Sequence, residues 1–313
     1  MIKFGVFLPF YAFGLEKADY RSFDMIKALA VECERLGYHS VWIDDHLMYG
    51  KTPILECWTV LSALSTVTKQ IRLGALALCN AFRNPAVLAK MAATLDVISG
   101  GRLELGLGTG SQKDEHIAYG LSFPNLEKRA ERLMESVEIM KRMWTGDEVV
   151  YKGRYYRVGK AFCQPKPVQK PHPPITVGGS SEHVLKVAAK HADRCDLGAL
   201  PLKNYKSKVR IFKEYCRVFD RNSLEMEMTS WLGGTIFIAE DEKGLAEKIL
   251  KWKPRNTSVK TFRRLNCVGT PEDFIQKIQK NLSFGVNFFM LYFGDLPDGS
   301  SLKVFAEKIM KEF

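Results

Sequence analysis

Four short stretches of this chain carry residue types that could do chemistry. Asp44-Asp45-His46 sets two carboxylates beside an imidazole, a grouping that can orient the ring and move a proton near neutral pH. Its plain alternative is a capped loop with a surface histidine. Cys79-Asn80-Ala81-Phe82-Arg83-Asn84-Pro85 offers a guanidinium that either meets an anion or pairs with a nearby acid, and Asn84-Pro85 reads as a helix start. In Gly108-Thr109-Gly110-Ser111 two glycines let backbone approach a planar ring or a phosphate closely. Gly178-Gly179-Ser180-Ser181 combines bare backbone, two hydroxyls and the start of a helix, the makings of a phosphate cradle. The alternative there is a serine N-cap preceded by glycines for the turn.

Each stretch follows an apolar run of strand length. Strand-like runs fall at residues 3–10, 40–44, 71–79, 103–108, 174–179, 195–200, 226–238 and 286–293, and helical spacing returns between them. Met25, Ile26, Leu29, Ala30, Cys33 and Leu36 share one face before Gly37, where a C-cap belongs; Leu133, Val137, Met140 and Trp144 form another stripe. Thr270-Pro271-Glu272-Asp273 is a strong N-terminus: a hydroxyl at the cap, proline at the first turn, acids on the dipole. Residues 146–174, with five prolines after position 164, break the rhythm and read as a hairpin and linker inserted in a single domain of residues 1–313.

Eight strands alternating with helices predict an α/β fold, a (β/α)8 TIM barrel with insertion segments. An open doubly wound sheet fits less well, because Pro9-Phe10-Tyr11-Ala12-Phe13-Gly14 cannot serve as the glycine-rich turn after its first strand. In a barrel the active site gathers at the C-terminal strand ends, where all four stretches lie.

Bulk properties narrow the class. The chain has 313 residues, 46% hydrophobic and 26% charged, a globular composition. Nothing apolar is long enough to span a bilayer, and no leader-like segment opens the sequence, so a cytoplasmic protein without membrane contact is expected. Seven scattered cysteines without a C-x-x-C pair suit buried thiols in a reducing compartment, with no metal site. The net charge of +11 is spread over helix faces, as in Glu127-Lys128-Arg129-Ala130-Glu131-Arg132. That pattern reads as a solvated surface, compatible with an acidic small molecule rather than nucleic acid.

One further pattern is specific. Asn84-Pro85, Leu88-Ala89, Leu95-Asp96, Ser99-Gly100-Gly101-Arg102, Leu105-Gly106-x-Gly108-x-Gly110, Glu115-x3-Tyr119-Gly120, Trp144-Thr145-Gly146, Gly178-Gly179-Ser180 and Val268-Gly269-Thr270-Pro271-Glu272 together resemble the luciferase-like flavin and deazaflavin oxidoreductases. Asp45-His46, Leu73-Gly74 and Arg83-x-Pro85 resemble the branch that uses the deazaflavin coenzyme F-420 (F420), such as methylenetetrahydromethanopterin reductase. The resemblance implies hydride transfer between the deazaflavin C5 and a small organic substrate, with His46 and Asp45 as catalytic residues. It also implies coenzyme contacts at Asp45, Leu76, Ala77, Thr109, Gly110, Gly178, Gly179 and Ser180, a homodimer, and a non-prolyl cis peptide at Leu76–Ala77 against the ring. The alternatives within the family are an FMN-dependent monooxygenase served by a flavin reductase, and a flavin-binding barrel without turnover. F420-dependent glucose-6-phosphate dehydrogenases carry a glutamate and a tryptophan where this chain has Ser111 and Gly50, which argues against glucose 6-phosphate as substrate.

Overall fold

In a computed structural model, which describes residues 2–9 and 20–313, eight parallel strands close into a barrel. Around the ring run β1 (Lys3–Phe7), β2 (Ser40–Ile43), β3 (Arg72–Cys79) and β4 (Leu103–Gly108), then β7 (Ile175–Gly178), β8 (Arg194–Asp196), β9 (Glu227–Ser230) and β12 (Phe288–Leu291), which returns to β1. Between β4 and β7, β5 (Glu148–Lys152) and β6 (Arg157–Phe162) pair antiparallel as a hairpin outside the barrel. The helices are α1 (Tyr20–Arg35), α2 (Cys57–Val67), α3 (Pro85–Ile98), α4 (Lys113–Ala118), α5 (Leu126–Thr145), α6 (Glu182–His191), α7 (Leu202–Val218), α8 (Glu242–Trp252), α9 (Val259–Leu265), α10 (Pro271–Leu282) and α11 (Ser300–Val304). Phe10, expected to end the first strand, lies outside the described residues.

The seventh expected strand needs correction. Residues 226–238 do not run as one strand: β9 ends at Ser230, and Leu232, Gly233 and Gly234 turn the chain with positive φ. The remainder, β10 (Ile236–Ile238), pairs with β11 (Cys267–Gly269) in a separate two-stranded parallel sheet. Apolar residues on both sides concealed a turn made by adjacent glycines.

Two features fill the barrel. In its middle, Trp42 is fully buried with Phe7, Leu76, Phe288 and Met290, and its indole N–H donates to Ser40 Oγ at 2.8 Å. A Cβ on Gly5 or Gly74 would fall inside contact distance of the Trp42 ring, so the strands on both sides must carry glycine. At its N-terminal mouth the interior is ionic. Arg194 donates to Glu104 Oε2 at 3.0 Å, to Thr176 Oγ1 at 2.9 Å and to Glu227 Oε2 at 2.6 Å, with its guanidinium 4.4 Å from the Phe288 ring centroid. Arg72 adds a second cation to Glu104 and Lys3 one to Glu227. Burial pushes the Glu104 carboxyl up, but Arg194 and Arg72 outweigh it and hold the group below its ordinary value.

All seven cysteines are free and buried. No helix among the described residues is long and apolar enough to cross a membrane.

Because Arg194 and Glu104 are each only 2% exposed, removing Arg194 leaves a buried carboxylate with Arg72 as its one remaining ion-pair partner among the described residues. Arg194→Met should therefore lower stability by about 3–5 kcal/mol in chemical unfolding. A loss below about 1 kcal/mol would mean that the network is dispensable.

Candidate active site

The four stretches meet. At the C-terminal end of the barrel a cavity of about 560 Å³ is bounded by the loops after β2, β4 and β7, the end of β3 and the start of α5, a volume suited to a small-molecule ligand. Asp45, His46, Ala77, Thr109, Gly110, Gly178, Gly179 and Ser180 all line it. Leu76 does not: its side chain belongs to the cluster around Trp42. The Leu76–Ala77 peptide is cis, as the resemblance implied, and the β3/β4 register shifts between Ala75 and Leu78.

Asp45 is buried. Its Oδ2 accepts from Arg83 Nη1 and from the Cys79 amide, both at 2.8 Å, while Oδ1 accepts from Arg83 Nη2 at 3.0 Å. Arg83 also reaches Glu56 Oε1 at 2.5 Å. Thus the open question over Arg83 resolves toward acids, and the clasp ties the loop after β2 to the end of β3 and the N-cap of α2.

Glu115 of α4 holds the His46 ring: its Oε2 lies 3.1 Å from Nδ1, and its Oε1 accepts from the amides of Leu47 and Met48. Only 2% of Glu115 is exposed, so the carboxylate is fixed by three donors on one loop. Sequence reading missed it because Glu115 lies 69 residues from His46; the one signal was its place in a family-like motif just after the fourth strand.

Asp44, half-buried at the rim, behaves differently. Burial pushes its carboxyl up to about 6, with Asp45 adding to the rise and His46 opposing it.

Across the cavity the backbone is open. Gly110 sits at φ +78°, and a Cβ there would come within 2.7 Å of Cys79 Sγ and 2.8 Å of His116 Cε1. His116 is fully buried between Phe82 and Phe123, with Nδ1 2.7 Å from Gln112 O. Gly179, at φ +138°, already donates its N–H to Asp196 O at 2.9 Å, so it bounds the cradle without offering a donor. Ser181 caps α6 toward Val184 N, as the plainer reading of that loop had it. Arg129 of α5 also lines the cavity and donates to Gly110 O at 2.6 Å. In sequence it was indistinguishable from its neighbours on a helix of alternating charge.

The pattern that defines luciferase-like monooxygenases matches residues 2–259. The chain belongs to this family. Over 175 residues it is 35% identical to the F420-dependent glucose-6-phosphate dehydrogenase of Amycolatopsis mediterranei (strain U-32), covering 54% of this chain and 50% of that one. The chain thus spans about half the length of the curated relatives it matches. Among solved structures it is similar to an F420-dependent secondary alcohol dehydrogenase in complex with an F420-acetone adduct, with 22% identity, a TM-score of 0.81, and 99% and 98% of the two chains covered. It is as similar to the oxygenating constituent of 3,6-diketocamphane monooxygenase from Pseudomonas putida in complex with FMN: 18% identity, TM-score 0.81, 100% and 99% covered. These two structures share the family's barrel with this chain.

The raised Asp44 carboxyl has a measurable sign. Between its ordinary value and about pH 6 the folded chain keeps a proton that the unfolded chain has released, so this group's contribution to stability falls as pH rises through that window. Asp44→Asn should raise the melting temperature at pH 7 by about 2 °C and leave it nearly unchanged at pH 4. Equal shifts at both pH values would show that the carboxyl titrates normally.

Proposed function

We propose that this chain is a cytoplasmic, homodimeric F420-dependent oxidoreductase that exchanges a hydride with a small organic substrate at the cavity described above. The observation that carries the reading is the convergence, around one cavity, of the clamped His46 and the glycine-serine loop after β7. The names of relatives such as the Amycolatopsis enzyme support a deazaflavin over FMN, as does the net charge of +11 toward a coenzyme with a phosphate and glutamate carboxylates.

When bound, the deazaflavin supplies the carbon that accepts or gives the hydride. This chain's residues do the rest. Glu115 holds His46 at Nδ1, and the imidazole is the group that would take the proton from a substrate hydroxyl during oxidation, or return it to a carbonyl during reduction. Asp45 works through Arg83 and the Cys79 amide, fixing the loop that carries His46, and is a positioning residue. Ala77 and the backbone of Leu76 would back the ring, with Thr109 and Gly110 beside it and Gly178, Gly179 and Ser180 bounding the phosphate. Ser111 lines the cavity where glucose-6-phosphate dehydrogenases have glutamate, which favours a different substrate.

The barrel it shares with an FMN-bound monooxygenase supports a second reading, an oxygen-requiring enzyme fed reduced FMN by a reductase. Titrations separate the two. F420 should bind more tightly than FMN, and its affinity should weaken as salt is raised. Tighter binding of FMN would sink the deazaflavin reading.

The proton role of His46 is tested by His46→Gln. Turnover should drop about 10²- to 10⁴-fold while coenzyme affinity changes little. Unchanged turnover would favour a barrel that binds flavin without catalysis.

A further inference from the structure

We propose that Cys267 and Lys277 form an oxidation-sensitive pair, a modification site where peroxide joins the sulfur of β11 to the amine of α10 by a covalent bond. The inference stands apart from the coenzyme reading above. Lys277 Nζ donates to Cys267 Sγ at 2.8 Å. By comparison, Cys79 Sγ stands 3.5 Å from His116 Nε2, Cys216 Sγ 3.7 Å from Met226 Sδ, and Cys163 Sγ 3.8 Å from Ala89 O. The helix explains why the ammonium turns to sulfur. Asp273, one turn earlier on α10, would be the usual i,i+4 partner of Lys277. Its Oδ2 is already taken by the Thr270 amide at 2.9 Å and the Thr270 hydroxyl at 3.2 Å. No carboxylate among the described residues lies within ion-pair distance of Lys277, whereas Lys248 and Lys251 meet Asp295 and Asp298.

Cys267 is only 4% exposed, and burial pushes its thiol up; Lys277 works against that rise by charge and by hydrogen bond, while Asp273 adds to it. The pair is still within reach of a small reagent. Lys277 lines a cavity of about 390 Å³ between the loop after β9 and α10, and a Cβ on Gly233, in the same wall, would stand 3.8 Å from Nζ. With the shared proton on nitrogen, the pair is a thiolate beside an ammonium. The thiolate attacks one oxygen of peroxide and the O–O bond breaks, giving a sulfenic acid and hydroxide. Hydroxide takes a proton from the ammonium and leaves as water. The freed amine attacks sulfur, forming the S–N bond and expelling the sulfenic oxygen as a second water. Sulfur loses two electrons, the peroxide oxygens gain them, and no further reactant is needed. The bond ties the first residue of β11 to the middle of α10 and removes an ammonium charge from the cavity.

Peptide masses test the pair. Trypsin releases Cys267 and Lys277 together in residues 265–277, and a bonded Lys277 blocks that cut, so that residues 265–280 emerge as one peptide. Wild type would be treated with hydrogen peroxide and digested without reductant. The longer peptide should then appear two hydrogens lighter than its unmodified mass, and a thiol reductant should restore both that mass and the cut after Lys277. Lys280→Arg should leave the product in place. Lys277→Arg keeps the positive charge but should abolish the product, with Cys267 climbing instead to its oxygenated acids. Cys267→Ser should abolish it too. The wild-type digest decides the matter even if a variant folds poorly. Cys267 that stays unmodified, or gains only oxygens while Lys277 is cut as usual, overturns the proposal. A loss of two hydrogens that survives in Lys277→Arg overturns it as well.

Discussion

A guanidinium buried between two carboxylates governs this barrel. Arg194 can stay charged at 2% exposure only if Glu104 and Glu227 face it from β4 and β9, with Thr176 of β7 completing its donors. Side chains alternate along a strand, so this one requirement fixes what reaches the other end. With Glu104 inward, Gly106 and Gly108 are inward too; with Thr176 inward, so is Gly178. Asp196 follows from Arg194, and it lies beside Gly178 in the β7/β8 register. A slip of one residue in β8 would expel Arg194 and also turn Asp196 away from Gly178. The stability of the N-terminal mouth and the shape of the C-terminal one are therefore the same constraint seen from two ends.

Much of this was legible in the chain. Strand-sized runs of β-branched and aliphatic residues, separated by stripes at helical spacing, leave few alternatives to a closed parallel sheet. The chemistry-bearing stretches could be found because a barrel restricts them to one set of strand ends. Legibility failed where the decisive partner was remote or disguised. Glu115 serves His46 across 69 residues, and no local spacing links them. Asp45, adjacent to His46, is drawn to Arg83 because a guanidinium fork satisfies both oxygens of a buried carboxylate and an imidazole cannot. Arg129 looked like any cation on a solvated helix until the fold turned it inward. The break within residues 226–238 was signalled by Gly233-Gly234, which the surrounding apolar residues outweighed.

The cavity is electrically two-sided. Asp44, Asp45 and His46 line it from the loop after β2, Glu115 from α4, Arg129 from α5, and Ser180 and Ser181 from the loop after β7. Such a field orients a dipolar ligand before any contact is made. The large positive charge of the whole chain says little about this, since most of its lysines and arginines face water. What matters is which single cation is turned inward.

Cys79 has a consequence of another kind. Of the seven buried thiols it alone borders the cavity, where burial pushes it up to about 12. A thiol held protonated reacts slowly with alkylating reagents until its surroundings open, so each cysteine acts as a clock for the motion that exposes it. Six of these clocks time the breathing of the barrel and its helices. The seventh times the mouth, and a molecule resting there would slow that clock while the other six kept their pace.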